Sequence, residues 1–186
     1  EDADVIFFSG GDQLNITSLF GGSPMHDLMQ KRMKEGVVIA GTSAGAAMMS
    51  GSMILGGRSD SAPKAEGVDI GPGLDLIPEV VIDTHFSQRG RHGRLLTAVA
   101  HYPHIVGVGL DEKCGIVVKG RQFRVVGEGC VTVFDGRSVT HCDLPNRKAG
   151  DCIGILGVSL HVLPSGYSYD LENHLPIAPP RQQAAS

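Results

Sequence analysis

Apolar residues in this chain come in short unbroken runs, and glycine or a small polar residue stops each one. Val5-Ile6-Phe7-Phe8 ends at Ser9-Gly10-Gly11, Val37 to Ala40 at Gly41-Thr42, Val80-Val81-Ile82 at Asp83, and Val106 to Leu110 at Asp111-Glu112. Such runs predict strands buried on both faces of a mostly parallel sheet, because a strand with one wet face would alternate instead. Between the first two runs, Ser23 is placed to cap a helix that starts at Pro24, carries Met25, Leu28, Met29 and Met33 on one face, and closes at Gly36. The resulting strand, helix, strand unit predicts a right-handed parallel crossover. A second helix is predicted from Gln88 to His101, with Leu95, Leu96 and Val99 on its apolar side. Residues 51–73, rich in Gly, Ser, Asp and Pro, read as a long surface loop. Beyond Leu110 the pattern changes to short strands and tight turns, at Gly115 to Val118, Phe123 to Val126 and Val131 to Phe134. These predict an antiparallel meander. A last strand over 153–163 precedes a Pro-rich tail at 176–186. The fold class is therefore α/β: a mostly parallel sheet flanked by helices, followed by a C-terminal β meander.

Composition narrows the functional classes. The chain has 186 residues, 41% of them hydrophobic, enough for one domain with one core. Its formal net charge of -4 removes the surplus of Lys and Arg that nucleic acid or an anionic membrane surface would attract, so neither is expected as a partner. Four cysteines and eight histidines show no metal-binding spacing, and neither a metal nor a cofactor is expected. Free, partly buried thiols fit a cytoplasmic chain, with a Cys142 to Cys152 disulfide the alternative.

The candidate chemistry lies at run ends. Gly41-Thr42-Ser43-Ala44-Gly45 fits the G-x-S-x-G pattern, in which a serine sits at a sharp turn from strand to helix and holds its hydroxyl above the sheet. The Ala44 amide is placed to stabilise an oxyanion there, and the Gly10-Gly11 turn is a source for the second donor, assigned to Gly11. A serine hydroxyl needs a base, and His85, just past the run that ends at Asp83, is the histidine placed at a strand end. Asp111 and Glu112 follow the next strand, and by spacing either could orient the imidazole. The order Ser, His, acid differs from that of the α/β-hydrolases, which would need a later histidine such as His141. Arg89, Arg91 and Arg94 cluster beside His85 and suit bidentate binding of a carboxylate.

Four stretches, Gly10-Gly11-Asp12-Gln13, Gly41 to Gly45, Asp83-Thr84-His85-Phe86-Ser87-Gln88-Arg89-Gly90-Arg91 and Gly109-Leu110-Asp111-Glu112, resemble in content and order the motifs of the cyanophycinases. The resemblance implies a class I glutamine amidotransferase-like fold with serine in place of cysteine. The implied activity is an exopeptidase that releases β-Asp-Arg dipeptides from cyanophycin, a polyaspartate bearing arginines through isopeptide bonds. It further implies Ser43 as nucleophile, His85 as base and Glu112 as orienting acid, with substrate contacts at Gln13, Asp83, Arg89, Arg91 and Arg94 and a homodimeric assembly. Thr84 stands where the family commonly has Gln, a shorter group among the substrate contacts that leaves a related aspartyl or isoaspartyl dipeptidase as the second reading. The chain opens at Glu1 without an initiator Met and enters a strand at once, so residues 1–186 read as a single catalytic domain whose N-terminal family strands are missing. A truncated, non-catalytic fragment is the third reading.

Overall fold

The computed structural model describes residues 2–59 and 62–180. In chain order the first half runs β1 (Val5–Phe8), α1 (Gln13–Phe20), α2 (Pro24–Lys34), β2 (Val38–Gly41), α3 (Ala44–Ala47), β3 (Ser52–Gly57), β4 (Val68–Pro72), β5 (Val80–Thr84) and α4 (His92–His101). The second half is almost all strand: β6 (Val106–Leu110), β7 (Cys114–Lys119), β8 (Gln122–Gly127), β9 (Val131–Asp135), β10 (His141–Cys142), β11 (Ile155–Leu156), β12 (Ser159–Leu163), β13 (Ser168–Asp170) and β14 (Leu175–Ile177), with a 3-10 turn at Leu144–Asn146.

Two parallel pairs organise the first half: β1 lies beside β2 with Val5 opposite Val38, and β5 beside β6 with Val80 opposite Val106. The sheet is mixed and not mostly parallel. β9 adds antiparallel to β6, and β12 antiparallel to β9, giving the order β12-β9-β6-β5. The predicted meander is thus divided: β7 and β8 form a hairpin in a separate antiparallel sheet with β13 and β14, while its third strand, β9, joins the mixed sheet. Antiparallel strands need no helical crossover: the chain leaves β6 at Leu110, makes the β7–β8 hairpin, and returns with Val131 opposite Leu110.

Strand periodicity then sorts the core into layers. Val80 and Ile82 face one way, with Val106, Val108, Val131 and Val133, onto Phe123, Val125 and Tyr169 of the antiparallel sheet. Val81 faces the other way, with Phe134, onto Leu95, Ala98 and Val99 of α4. The continuous run at 80–82 is explained by this: both of its faces are covered. The same reading fails for β1, where Val5 and Phe7 are 57% and 64% exposed and only Ile6 and Phe8 turn inward. A cavity of about 710 Å³ opens between β1, α1 and α2, lined by Ile6, Phe8, Phe20 and Met29 among others, and neither Ser43 nor His85 lines it.

Several boundaries move. Helix α2 starts as expected, with the Ser23 hydroxyl accepting from the His26 amide at 3.3 Å. Helix α1 was not foreseen, although Asp12 caps it by accepting from Leu14 N at 2.8 Å. The expected loop at 51–73 contains an antiparallel hairpin, β3 with β4, because Met53 and Ile54 are apolar enough to be buried at 0% and 2% exposure despite the surrounding glycines. Helix α4 begins at His92, four residues later than predicted, since Gly90 takes a φ of +60° that a helix cannot contain. The last predicted strand is broken into β11 and β12. The tail begins as strand β14, pairing with β13, and residues 181–186 lie outside the described residues.

The end of β9 is tied to the β13–β14 hairpin through Asp135. Its buried carboxylate accepts from Tyr169 Oη at 3.0 Å, from His174 Nδ1 at 2.9 Å and from the Arg137 amide at 2.9 Å. Burial alone would raise the Asp135 pKa, but these hydrogen bonds outweigh it and hold the carboxyl below its ordinary value. A depressed carboxyl pKa stabilises the fold above the unfolded-state value of about 3.9 and loses that contribution as pH falls through the lower folded-state value. Asp135→Ala should therefore cost about 2 kcal/mol at pH 7, and urea titrations should show the gap to the parent narrowing below about pH 4. A gap independent of pH would refute this account.

Candidate active site

Four of the strands end at one site. The carboxyl end of β1 runs into Gly10-Gly11, that of β2 into Ser43, that of β5 into His85 and that of β6 into Glu112. β1 and β2 are parallel, as are β5 and β6, so the carboxyl ends within each pair lie side by side, which is the edge of α/β folds where sites assemble.

Ser43 stands between β2 and α3 with φ 52° and ψ −115°, a conformation that costs a non-glycine residue about 1–3 kcal/mol and that the surroundings must impose. The constraint comes from packing. Residues Ala44 to Ala47 are buried, and Gly45 lies so close to β1 that a Cβ there would fall 2.3 Å from the Phe8 carbonyl oxygen. Only glycine lets α3 seat on the end of β1. The Gly10–Gly11 turn borders the serine, for a Cβ on Gly10 would be 3.3 Å from Ser43 Cβ.

His85 also takes a positive φ, 50°, directly after β5. Its Nε2 lies 3.1 Å from Ser43 Oγ, and its Nδ1 lies 3.0 Å from Glu112 Oε1. A carboxylate only accepts, so Nδ1 carries the proton and Nε2 is left to accept from the serine hydroxyl. The ring is 29% exposed and Glu112 55% exposed, which keeps the site open to a solute. Asp111, the other acid that spacing allowed, takes a different partner: its Oδ1 accepts from both the amide and the hydroxyl of Ser87.

The charged residues around His85 divide into buried and exposed groups. Asp83 is 2% and Arg94 8% exposed, and the Arg94 Nε and Nη2 both donate to the Asp83 carboxylate. Arg91 Nη1 donates to Asp83 Oδ1 at 3.1 Å and to the Thr84 carbonyl at 2.6 Å. Burial pulls the Arg91 pKa down from its ordinary value while Asp83 opposes the shift, and a guanidinium stays charged throughout. Asp83 and Arg94, both expected as substrate contacts, face each other inside the protein, where an unpaired charge would be prohibitive. Their work is to hold the start of α4 on the end of β5. Arg91 shares that work, although its Nε is buried without a partner among the described residues. Arg89 is the exposed member of the cluster, and Thr84 is half-buried. Gln13 is tied into the fold as well, its Nε2 donating to the carbonyls of Ile54 and Leu55 at 2.8 and 3.2 Å.

Residues 1–126 match peptidase family S51. The chain belongs to that family. Among curated proteins, this S51 chain is 38% identical over 180 residues to a cyanophycinase of Geminocystis herdmanii, covering 96% of the chain and 66% of the relative. It is 39% identical over 168 residues to a cyanophycinase of Trichormus variabilis, covering 89% and 56%. For a cyanophycinase of Synechococcus elongatus the values are 37% over 171 residues, 91% and 53%. The chain therefore spans about half to two thirds of the length of these relatives. Among solved structures, a peptidase from an acI-B1 Actinobacterium superposes with a TM-score of 0.62 at 20% identity, over 91% of this chain and 60% of that one, and shares its mixed α/β fold. No helix among the described residues is long and apolar enough to cross a membrane.

Proposed function

We propose that this S51 chain forms a serine exopeptidase site that hydrolyses cyanophycin to β-Asp-Arg dipeptides through an acyl-enzyme. The observation that carries the reading is the relay of contacts from Ser43 Oγ to His85 Nε2 and from His85 Nδ1 to Glu112 Oε1, at 3.1 and 3.0 Å, on a strained strand-to-helix corner. His85 takes the hydroxyl proton as Ser43 Oγ attacks the scissile carbonyl, and Glu112 stabilises the imidazolium that forms. The amides of Ala44 and Gly11 serve the oxyanion. The imidazolium then gives its proton to the departing amine, and water, activated by the same ring, releases the acyl group from Ser43. Arg89, exposed after His85, binds a substrate carboxylate, with Thr84 and Gln13 as further contacts. The names of the relatives support the polymer as substrate, and the parallel pairs that carry the site support a class I glutamine amidotransferase-like arrangement.

Incubation with insoluble cyanophycin, read by mass spectrometry of the soluble fraction, should release β-Asp-Arg, and a fluorophosphonate should label Ser43. Cleavage of free Asp-Xaa dipeptides with the polymer left intact would replace this reading by the dipeptidase one. Absence of both product and label would mean that the relay is not a working site.

A further inference from the structure

Two side-chain contacts join the turn after His85 to the turn that carries Glu112, and they run in opposite directions. Asp111 Oδ1 accepts from the Ser87 amide at 3.0 Å and from the Ser87 hydroxyl, while Gln88 Oε1 accepts from the Glu112 amide at 3.1 Å. Asp111 is itself fixed to the sheet. Its amide donates to the Cys130 carbonyl at 3.2 Å, and its carbonyl accepts from the Cys114 thiol at 3.2 Å. The turn it grips is the less constrained side: Ser87, Gln88 and Arg89 are exposed, and His85 sits in a conformation that does not persist without external restraint. Phe86, fully buried, anchors the start of this turn through its amide to the Leu110 carbonyl at 3.1 Å, and the Arg91 amide closes its far end on the Phe86 carbonyl at 3.0 Å, so the exposed Ser87 and Gln88 between them meet the Glu112 turn through these side-chain contacts.

From this we infer that Asp111 and Gln88 are positioning residues, a reciprocal clamp that sets the His85 imidazole against Glu112 and so selects the tautomer with its proton on Nδ1. The inference rests on the serine peptidase reading for its catalytic consequence, not for its structural content. Without the clamp the exposed Glu112 side chain swings off Nδ1, the proton redistributes to Nε2, and Nε2 no longer accepts from Ser43.

The test compares the parent with Asp111→Ala, Asp111→Asn and Gln88→Ala. Two-bond proton–nitrogen correlations of the His85 ring, recorded at a pH where it is neutral, report the tautomer whether or not the protein has activity. The parent and Asp111→Asn, which keeps an acceptor for Ser87, should show Nδ1–H; Asp111→Ala and Gln88→Ala should show a mixture or Nε2–H. Turnover of cyanophycin by the two alanine variants should fall about 10- to 100-fold in kcat with KM changed less than about threefold, and the asparagine variant should recover most of it. If Asp111→Ala does not fold, Gln88→Ala, at an exposed position, is read the same way. Alanine variants that keep Nδ1–H and parental turnover would overturn the clamp. A parent that shows Nδ1–H and loses it in the alanine variants, yet releases no dipeptide, would leave the clamp standing and remove the proposed function.

Discussion

Ser43→Ala should lower kcat for dipeptide release from cyanophycin by at least about 10⁴-fold while KM stays within a few-fold of the parent value. The size follows from what the hydroxyl supplies. Alanine cannot form the acyl-enzyme, so the two-step route closes, and what persists is the smaller acceleration from substrate positioning and the oxyanion donors. Alanine occupies no more space than serine, and the residues beside it, Ala44 to Ala47, pack through groups the substitution leaves alone. The melting temperature should therefore move by less than about 2 °C, which separates loss of chemistry from loss of fold. His85→Ala should give a loss of similar order, and the double variant little more, because the groups act as one unit. Activity within tenfold of the parent in Ser43→Ala would show that another residue attacks.

The second large effect is on stability. Asp83→Ala removes the carboxylate that pairs with the guanidinium of Arg94, 8% exposed, and with the Nη1 of Arg91. Breaking a buried ion pair from one side costs about 3–5 kcal/mol, which for a chain of this size lowers the melting temperature by roughly 10 °C. Arg89→Ala is the matching control: its side chain is exposed, so the melting temperature should hold while KM for cyanophycin rises. The contrast decides between a scaffold and a substrate grip. An Asp83→Ala variant that melts with the parent and shows only a raised KM would restore Asp83 to the substrate contacts.

Much of the site was legible because its residues sit at the ends of recognisable runs. A buried strand announces itself as a continuous apolar stretch, a sharp turn as glycine, and a nucleophile or base as a reactive residue just beyond; Ser43, His85 and Glu112 each fit that description. The same reasoning placed α2, β5, β6 and the β7–β8 hairpin near their observed bounds. It misjudged β3, whose apolar residues are only three, Met53 to Leu55, among glycines and polar residues, and α1, whose eight residues carry a weak apolar stripe. In both, local preference is slight and burial against the rest of the chain decides the conformation.

Residue type and spacing in the chain were enough to determine the nucleophile and base candidates and the strands that end beneath them, since each of these is a local pattern, and the resemblance of four ordered motifs supplied the family. Spacing left Asp111 and Glu112 equal, and the family resemblance favoured Glu112; only the tertiary structure could decide that β9 leaves the meander for the mixed sheet and that Asp83 and Arg94 pair with each other. These last are questions of direction and distance between segments far apart in the chain. A list of residues says which charges are near one another in sequence, but burial sets whether a charge meets a ligand or another side chain, and burial belongs to the folded molecule as a whole.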